Sequence, residues 1–123
     1  MPGQVVHLEI PSDDTGKARE FYGSLFGWQF EAYPGPSEYH MTRTSDTSGA
    51  AITNMEPGKR GARVYFDVDD INAGAAKVRE LGGEADDPQP VPNMGWFVTG
   101  KDTEGNPIGL WQNDPNASMP GES

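Results

Sequence analysis

His7 and Glu9 stand two places apart in Val5 to Ile10, a segment whose residues alternate between faces. That period of two marks a half-buried strand, with Val6, Leu8 and Ile10 on one side and Val5, His7 and Glu9 on the other. An imidazole sharing a face with a carboxylate can serve as a general base. A lone imidazole beside carboxylates is more often a structural hydrogen-bonding group, and strand rise sets the two side chains about 7 Å apart, so contact between them is not required. His40 is the only other histidine, and strand parity turns it to the opposite face. The chain has no cysteine, which removes thiolate nucleophiles, thiolate metal sites and disulfides together. No serine lies in a Gly-x-Ser-x-Gly elbow and no glycine-rich phosphate loop precedes a helix, so nucleophilic and nucleotide chemistry find no support.

The same parity argument, taken strand by strand, yields the inward side chains: His7, Glu9, Met41, Arg43, Thr53 and Met55 from the first half, and Arg63, Tyr65, Asp67, Phe97, Thr99 and Trp111 from the second. Aromatic and thioether walls with a few charges describe a small-molecule site. Two uses are open to Arg63. Its fork matches a ligand carboxylate or phosphate in two contacts, or it pairs with Glu9 or Asp67 and neutralises buried charge. Trp28 and Trp96 fall on outward or helix-facing positions and read as core.

The elements that position these residues occur twice. Asp46, Thr47, Gly49 and Ile52 return 56 positions later as Asp102, Thr103, Gly105 and Ile108, and Asp13-Asp14, Leu25, Gly27, Pro34 and Pro36 return at the same offset. Two copies of so long a unit are no solenoid and imply a pseudo-twofold domain of two similar modules. In the first, Asp13, Asp14 and Thr15 offer caps to a helix whose Ala18, Phe21, Tyr22, Leu25 and Phe26 form an apolar stripe ended by Gly27. Extended segments follow over Trp28 to Tyr33, Tyr39 to Thr44 and Ala50 to Met55. In the second, Arg63 to Val68 alternates, Asp70 caps a helix carrying Ile71, Ala75, Val78 and Leu81, Gly82-Gly83 stops it, and strands follow over Gly95 to Gly100 and Ile108 to Gln112. Asp87 to Pro92 reads as a proline-rich passage. Asn113 to Ser123 is polar and is expected to fray.

A length of 123 residues suits one compact domain with a real core. The formal net charge of -10 would repel a phosphate backbone, so nucleic acid is excluded as a partner, and it serves solubility or suits a cationic ligand. No apolar run reaches the length of a bilayer span, and the first residues lack the pattern of a secretory signal, which together imply a cytoplasmic protein without a membrane partner.

A strand beginning Val-His, an Asp-capped helix ending Phe-Tyr-x-x-Leu-Phe-Gly-Trp, and a final Asp-Thr-Glu-Gly-Asn-Pro before a strand together resemble the vicinal oxygen chelate superfamily, the fold of glyoxalases, bleomycin-resistance proteins and extradiol dioxygenases. The resemblance covers residues 4 to 112. It implies an α+β fold in which two tandem βαβββ modules, 4–56 and 61–112 of a single domain 1–112, form a curved mixed sheet with helices outside, followed by a flexible tail over 113–123. It also implies a homodimer, with modules paired within one chain or swapped between two.

Metal enzymes of this superfamily carry their ligands on the first and last strand of each module, which the motif match places at His7, Thr53, Arg63 and Gly109. One imidazole, a hydroxyl, a permanent cation and no side chain cannot supply the donors a catalytic ion needs, and Arg63 would repel the ion. The expectation is therefore no metal and no other cofactor. The final strand, Gly-Leu-Trp-Gln, resembles a branch whose activities are mostly unassigned. Trp111 stacks on a planar or cationic ligand above the space Gly109 leaves, or fills that space itself. The implied function is metal-independent binding of a small organic molecule, as in drug or metabolite sequestration. The alternatives are a lyase or isomerase of the glyoxalase type, with His7 and Glu9 as its catalytic groups, and a pairing module that works through its dimer partner.

Overall fold

A computed structural model describes residues 3–56, 58 and 60–118. Its elements run β1 (Val5–Pro11), α1 (Thr15–Phe26), β2 (Glu31–Ala32), β3 (Tyr39–Arg43), β4 (Gly49–Thr53), β5 (Arg63–Asp67), α2 (Ile71–Glu80), β6 (Glu84–Ala85), β7 (Gln89–Val91), β8 (Gly95–Lys101) and β9 (Pro107–Asn113). The fold is α+β, and the two modules repeat one wiring. In the first, β1 runs parallel to β4, β4 pairs antiparallel with β3, and β3 with β2. In the second, β5 runs parallel to β9, β9 pairs antiparallel with β8, and β8 with β6. The compact units differ slightly from these sequence modules: one comprises residues 7–63 and the other residues 64–118 with residues 3–6. The opening residues join the second unit because the Gly3 N–H donates to the Asp67 carbonyl and the Asp67 N–H to that of Gln4.

Both helices start on aspartate. Asp14 accepts from the Lys17 N–H, and Asp70 from those of Asn72 and Ala73, satisfying donors that a first turn leaves without partners. Gly27 takes the left-handed conformation, φ 75°, that ends α1 and returns its N–H to the Gly23 carbonyl. In the second unit Ile71 and Ala75 of α2 pack with Val98 of β8 and Leu110 of β9, flanked by Phe66, Val68, Val78, Ala85 and Trp96. Trp96 is thus part of the core.

Four expectations need correction. The stripe on α1 is not covered: Phe21, Leu25 and Phe26 are 61%, 58% and 58% exposed, and Tyr22 instead stacks on Trp28 at 5.6 Å. That contact holds Trp28 near the helix, and the strand expected from it shrinks to Glu31–Ala32. The passage at Asp87 to Pro92 contains a strand, β7, which with β6 lies along the same side of β8. The two read as one edge strand interrupted at Asp86 to Pro88, an arrangement that tolerates prolines because an edge has amides with no ladder partner to lose. The segment after β9, expected to fray, makes contacts with its unit over its described residues. Asp114 accepts from Trp96 Nε1 at 3.0 Å, Ala117 is buried, and its carbonyl accepts from the Asn93 N–H; residues 119–123 of the expected tail lie outside the described residues. Among the described residues no helix is long and apolar enough to cross a membrane.

Candidate functional site

In the unit of residues 7–63, β4 lies between β1 and β3, with His7 opposite Gly49, Glu9 opposite Ala51 and Tyr39 opposite Thr53. With only the small side chain of Ala51 opposite Glu9, the long Tyr39 side chain reaches across β4 to β1. Its hydroxyl lies 2.7 Å from His7 Nε2 and donates to Glu9 Oε2 at 2.9 Å. The two rings stand nearly parallel, 20° apart. Beyond Glu9 the charge alternates: Arg63 Nε is 4.0 Å from Glu9 Oε1, and Arg63 Nη2 is 3.7 Å from Glu56 Oε2. The side chains of Arg63 and Glu9 are only 15% and 17% exposed. His7, Tyr39, Glu9, Arg63 and Glu56 thus form one polar line.

The proton positions along it follow from valence. A phenol has one proton, and Tyr39 gives it to Glu9, so the proton between Tyr39 and His7 belongs to Nε2. Burial disfavours a second proton on the ring, pushing the His7 pKa down from its ordinary 6.5 to about 4, and so keeps the imidazole neutral near pH 7. His7 and Glu9 are therefore coupled through a third group. Sequence reasoning missed that group although Tyr39 has the parity of Met41 and Arg43, and it missed Glu56 because that residue follows the last strand of its module, where no periodicity operates.

The other residues expected to face inward divide. Thr53 is buried, and its hydroxyl accepts from the Met55 N–H. Met41 is half-buried opposite Ala51. Arg43 ends β3 exposed, its Nη2 donating to the Asp46 carbonyl at 2.6 Å, and Met55 is 56% exposed. Those two are not drawn into the polar line, because β4 stops at Thr53 and Arg43 folds back on its own turn. The Arg63 guanidinium pairs with the Glu9 and Glu56 carboxylates.

In the unit of residues 64–118, Tyr65 lies opposite Gly109, and Asp67 opposite Trp111, which in turn faces Phe97. A Cβ built on Gly109 would overlap the Tyr65 ring, so the space above this glycine is filled by Tyr65, which is 5% exposed, and not by Trp111. The Trp111 indole instead covers Gly95 and donates Nε1–H to Asn113 Oδ1 at 2.7 Å. Thr99 donates its hydroxyl proton to Asp86.

These observations decide whether the positions His7, Thr53, Arg63 and Gly109 fit a divalent ion. His7 commits its Nε2 to Tyr39, Thr53 its hydroxyl to a backbone amide, Gly109 lies under an aromatic ring, and Arg63 is a cation that cannot lose its proton. They do not fit one. Among the described residues no three His, Asp or Glu side chains are disposed to hold a metal. Elsewhere, an open hollow of about 510 Å³ lies at the start of α1 between Asp13, Asp14, Lys17, Phe21 and Arg60, and none of the expected inward residues lines it. Glu38 pins α1 to its sheet, accepting from the buried Thr15 hydroxyl at 2.7 Å and lying 3.2 Å from His40, and these contacts hold its carboxyl below the usual range.

Residues 4–45 match the family model described as bleomycin resistance protein-like N-terminal. Over 114 residues the chain is 33% identical to a glyoxylase-like domain-containing protein of Didymella fabae, covering 85% of this chain and 89% of that one. It is 32% identical to CFP32, a candidate glyoxylase of Mycobacterium bovis, but spans only 44% of that protein's length. Among solved structures, the methylmalonyl-CoA epimerase of Mycobacterium tuberculosis superposes with a TM-score of 0.71 at 16% identity, covering 92% of this chain and 89% of that one. The methylmalonyl-CoA epimerase of Streptomyces coelicolor gives 0.70 at 18% identity, covering 97% and 100%. At these identities the likeness to the epimerases is one of fold.

Proposed function

Since the chain belongs to the glyoxylase-like family of the vicinal oxygen chelate superfamily, yet holds groups unsuited to an ion at the ligand positions, we propose that it binds a small organic molecule without a metal. The observation that carries this reading is Arg63, a permanent cation held between Glu9 and Glu56 where a ligand-bearing residue would stand. Sequestration of a drug or metabolite requires no activated water and no Lewis acid. Equilibrium dialysis against Ni²⁺, Zn²⁺, Mn²⁺ and Fe²⁺, followed by elemental analysis, is expected to leave the protein far below one ion per chain. A tightly held stoichiometric ion that is lost in His7→Ala would overturn the proposal. Metal-free bleomycin is the first ligand to try, with tryptophan fluorescence as the readout.

A second reading, a lyase or isomerase of the glyoxalase type, draws on the His7, Tyr39 and Glu9 contacts. A neutral imidazole joined through a phenol to a carboxylate can pass a proton along the line. Turnover of methylglyoxal plus glutathione that disappears in His7→Ala would establish this reading. No turnover with any added divalent ion would remove it.

A further inference from the structure

Glu9 and Glu56 lie on two sides of Arg63, and Glu9 is mostly buried. Glu56 is half exposed, so water screens it in part, and the guanidinium that stands with both carboxylates offsets the repulsion that remains. In a metal protein a divalent ion supplies that charge. Here the charge is covalently attached, is borne by a group that stays protonated at any pH the protein survives, and occupies a position that the superfamily resemblance gives to a metal ligand. Arg63 faces Glu9, Glu9 accepts from Tyr39, and Tyr39 bonds to His7, so a chain of contacts leads from the guanidinium to the imidazole through two intermediaries.

We propose that Arg63 is a built-in substitute for a divalent ion: it neutralises Glu9 and Glu56, holds the Tyr39 and His7 contacts through Glu9, and by its own charge keeps metal ions out. Taking the charge away should expose a latent site at the two carboxylates, of the hard oxygen-donor kind that suits Mn²⁺. Arg63 plays this part whether or not a small organic molecule binds the chain, so a failure of bleomycin to bind leaves it untouched.

The test is isothermal titration of the full chain with Mn²⁺, paired with thermal unfolding in its presence and absence, on wild type, Arg63→Gln and Arg63→Lys. Arg63→Gln is expected to bind Mn²⁺ at least about tenfold more tightly than wild type. Arg63→Lys, which keeps the charge, should behave as wild type. Adding Glu9→Gln to Arg63→Gln should remove the gain, which separates this site from loose ion binding by an acidic surface. Equal Mn²⁺ affinity in wild type and Arg63→Gln overturns the proposal, as does a gain in Arg63→Lys or a gain that survives Glu9→Gln. If Arg63→Gln is unfolded without metal, recovery of the folded state on adding Mn²⁺ supports the proposal and persistent unfolding overturns it.

Discussion

An imidazole shut away from water resists taking a second proton, because the charge that proton brings is poorly solvated there. The folded chain protonates His7 near pH 4, whereas the unfolded chain does so near the ordinary 6.5. The unfolded state therefore binds more protons throughout that interval, and the stability associated with a neutral His7 is complete above it and lost as the pH falls through it, by up to about 3 kcal/mol. Asp13, Glu38 and Asp102, whose pKa values are also lowered, by hydrogen bonds from Gly58, Thr15 and Asn106 respectively, contribute stability that is present above the ordinary carboxylate range and is lost as the pH falls through and below that range. Urea unfolding at about pH 7 and about pH 4.5 should show a drop in stability that shrinks markedly in His7→Gln. An unchanged drop would mean that the imidazole is open to solvent. What the sequence says about this group is its face and not its partner, because alternation reports which way a side chain points but not how far a tyrosine can reach across small neighbours. Arg63 illustrates the same limit, since its chemistry suits a ligand anion and a protein carboxylate equally and only position separates them.

Among the elements, β5 and β9 meet where an aromatic ring lies over a residue with no side chain. Gly109→Ala would drive a methyl into the Tyr65 ring, and overpacking of this kind costs about 1–3 kcal/mol. In Gly109→Ala with Tyr65→Ala the clash is gone, so the pair should cost less than the two single changes added together, which a double-mutant cycle of urea unfolding measures. Strict additivity would show that the ring does not cover the glycine. The order of strands and helices was legible from caps, alternation and the repeat at 56 positions, because each of these is local or periodic. Two features were not. Prolines at 88 and 90 conceal β7, since they argue against a central strand and say nothing against an edge. The apolar stripe of α1 predicts a buried face, and nothing local reveals that Phe21 and Leu25 are left uncovered.

For the molecule as a whole, both ends of the described chain join the same unit. Gly3 and Gln4 bond to Asp67, while Asp114 and Ala117 bond to Trp96 and Asn93. Ending the chain at Asn113 should therefore cost about 1–3 kcal/mol, because Trp96 Nε1 and the Asn93 N–H lose their acceptors. A frayed tail would cost nothing measurable in the same urea titration. The interrupted edge of this unit has a further effect. Val91 turns its carbonyl inward to accept from Met94, so Pro90 beside it faces the other way and presents no donor there. A stray β-strand arriving from another molecule, whether in a crowded solution or on the path to a fibril, cannot extend a regular ladder along β7, and the proline acts as a guard against aggregation.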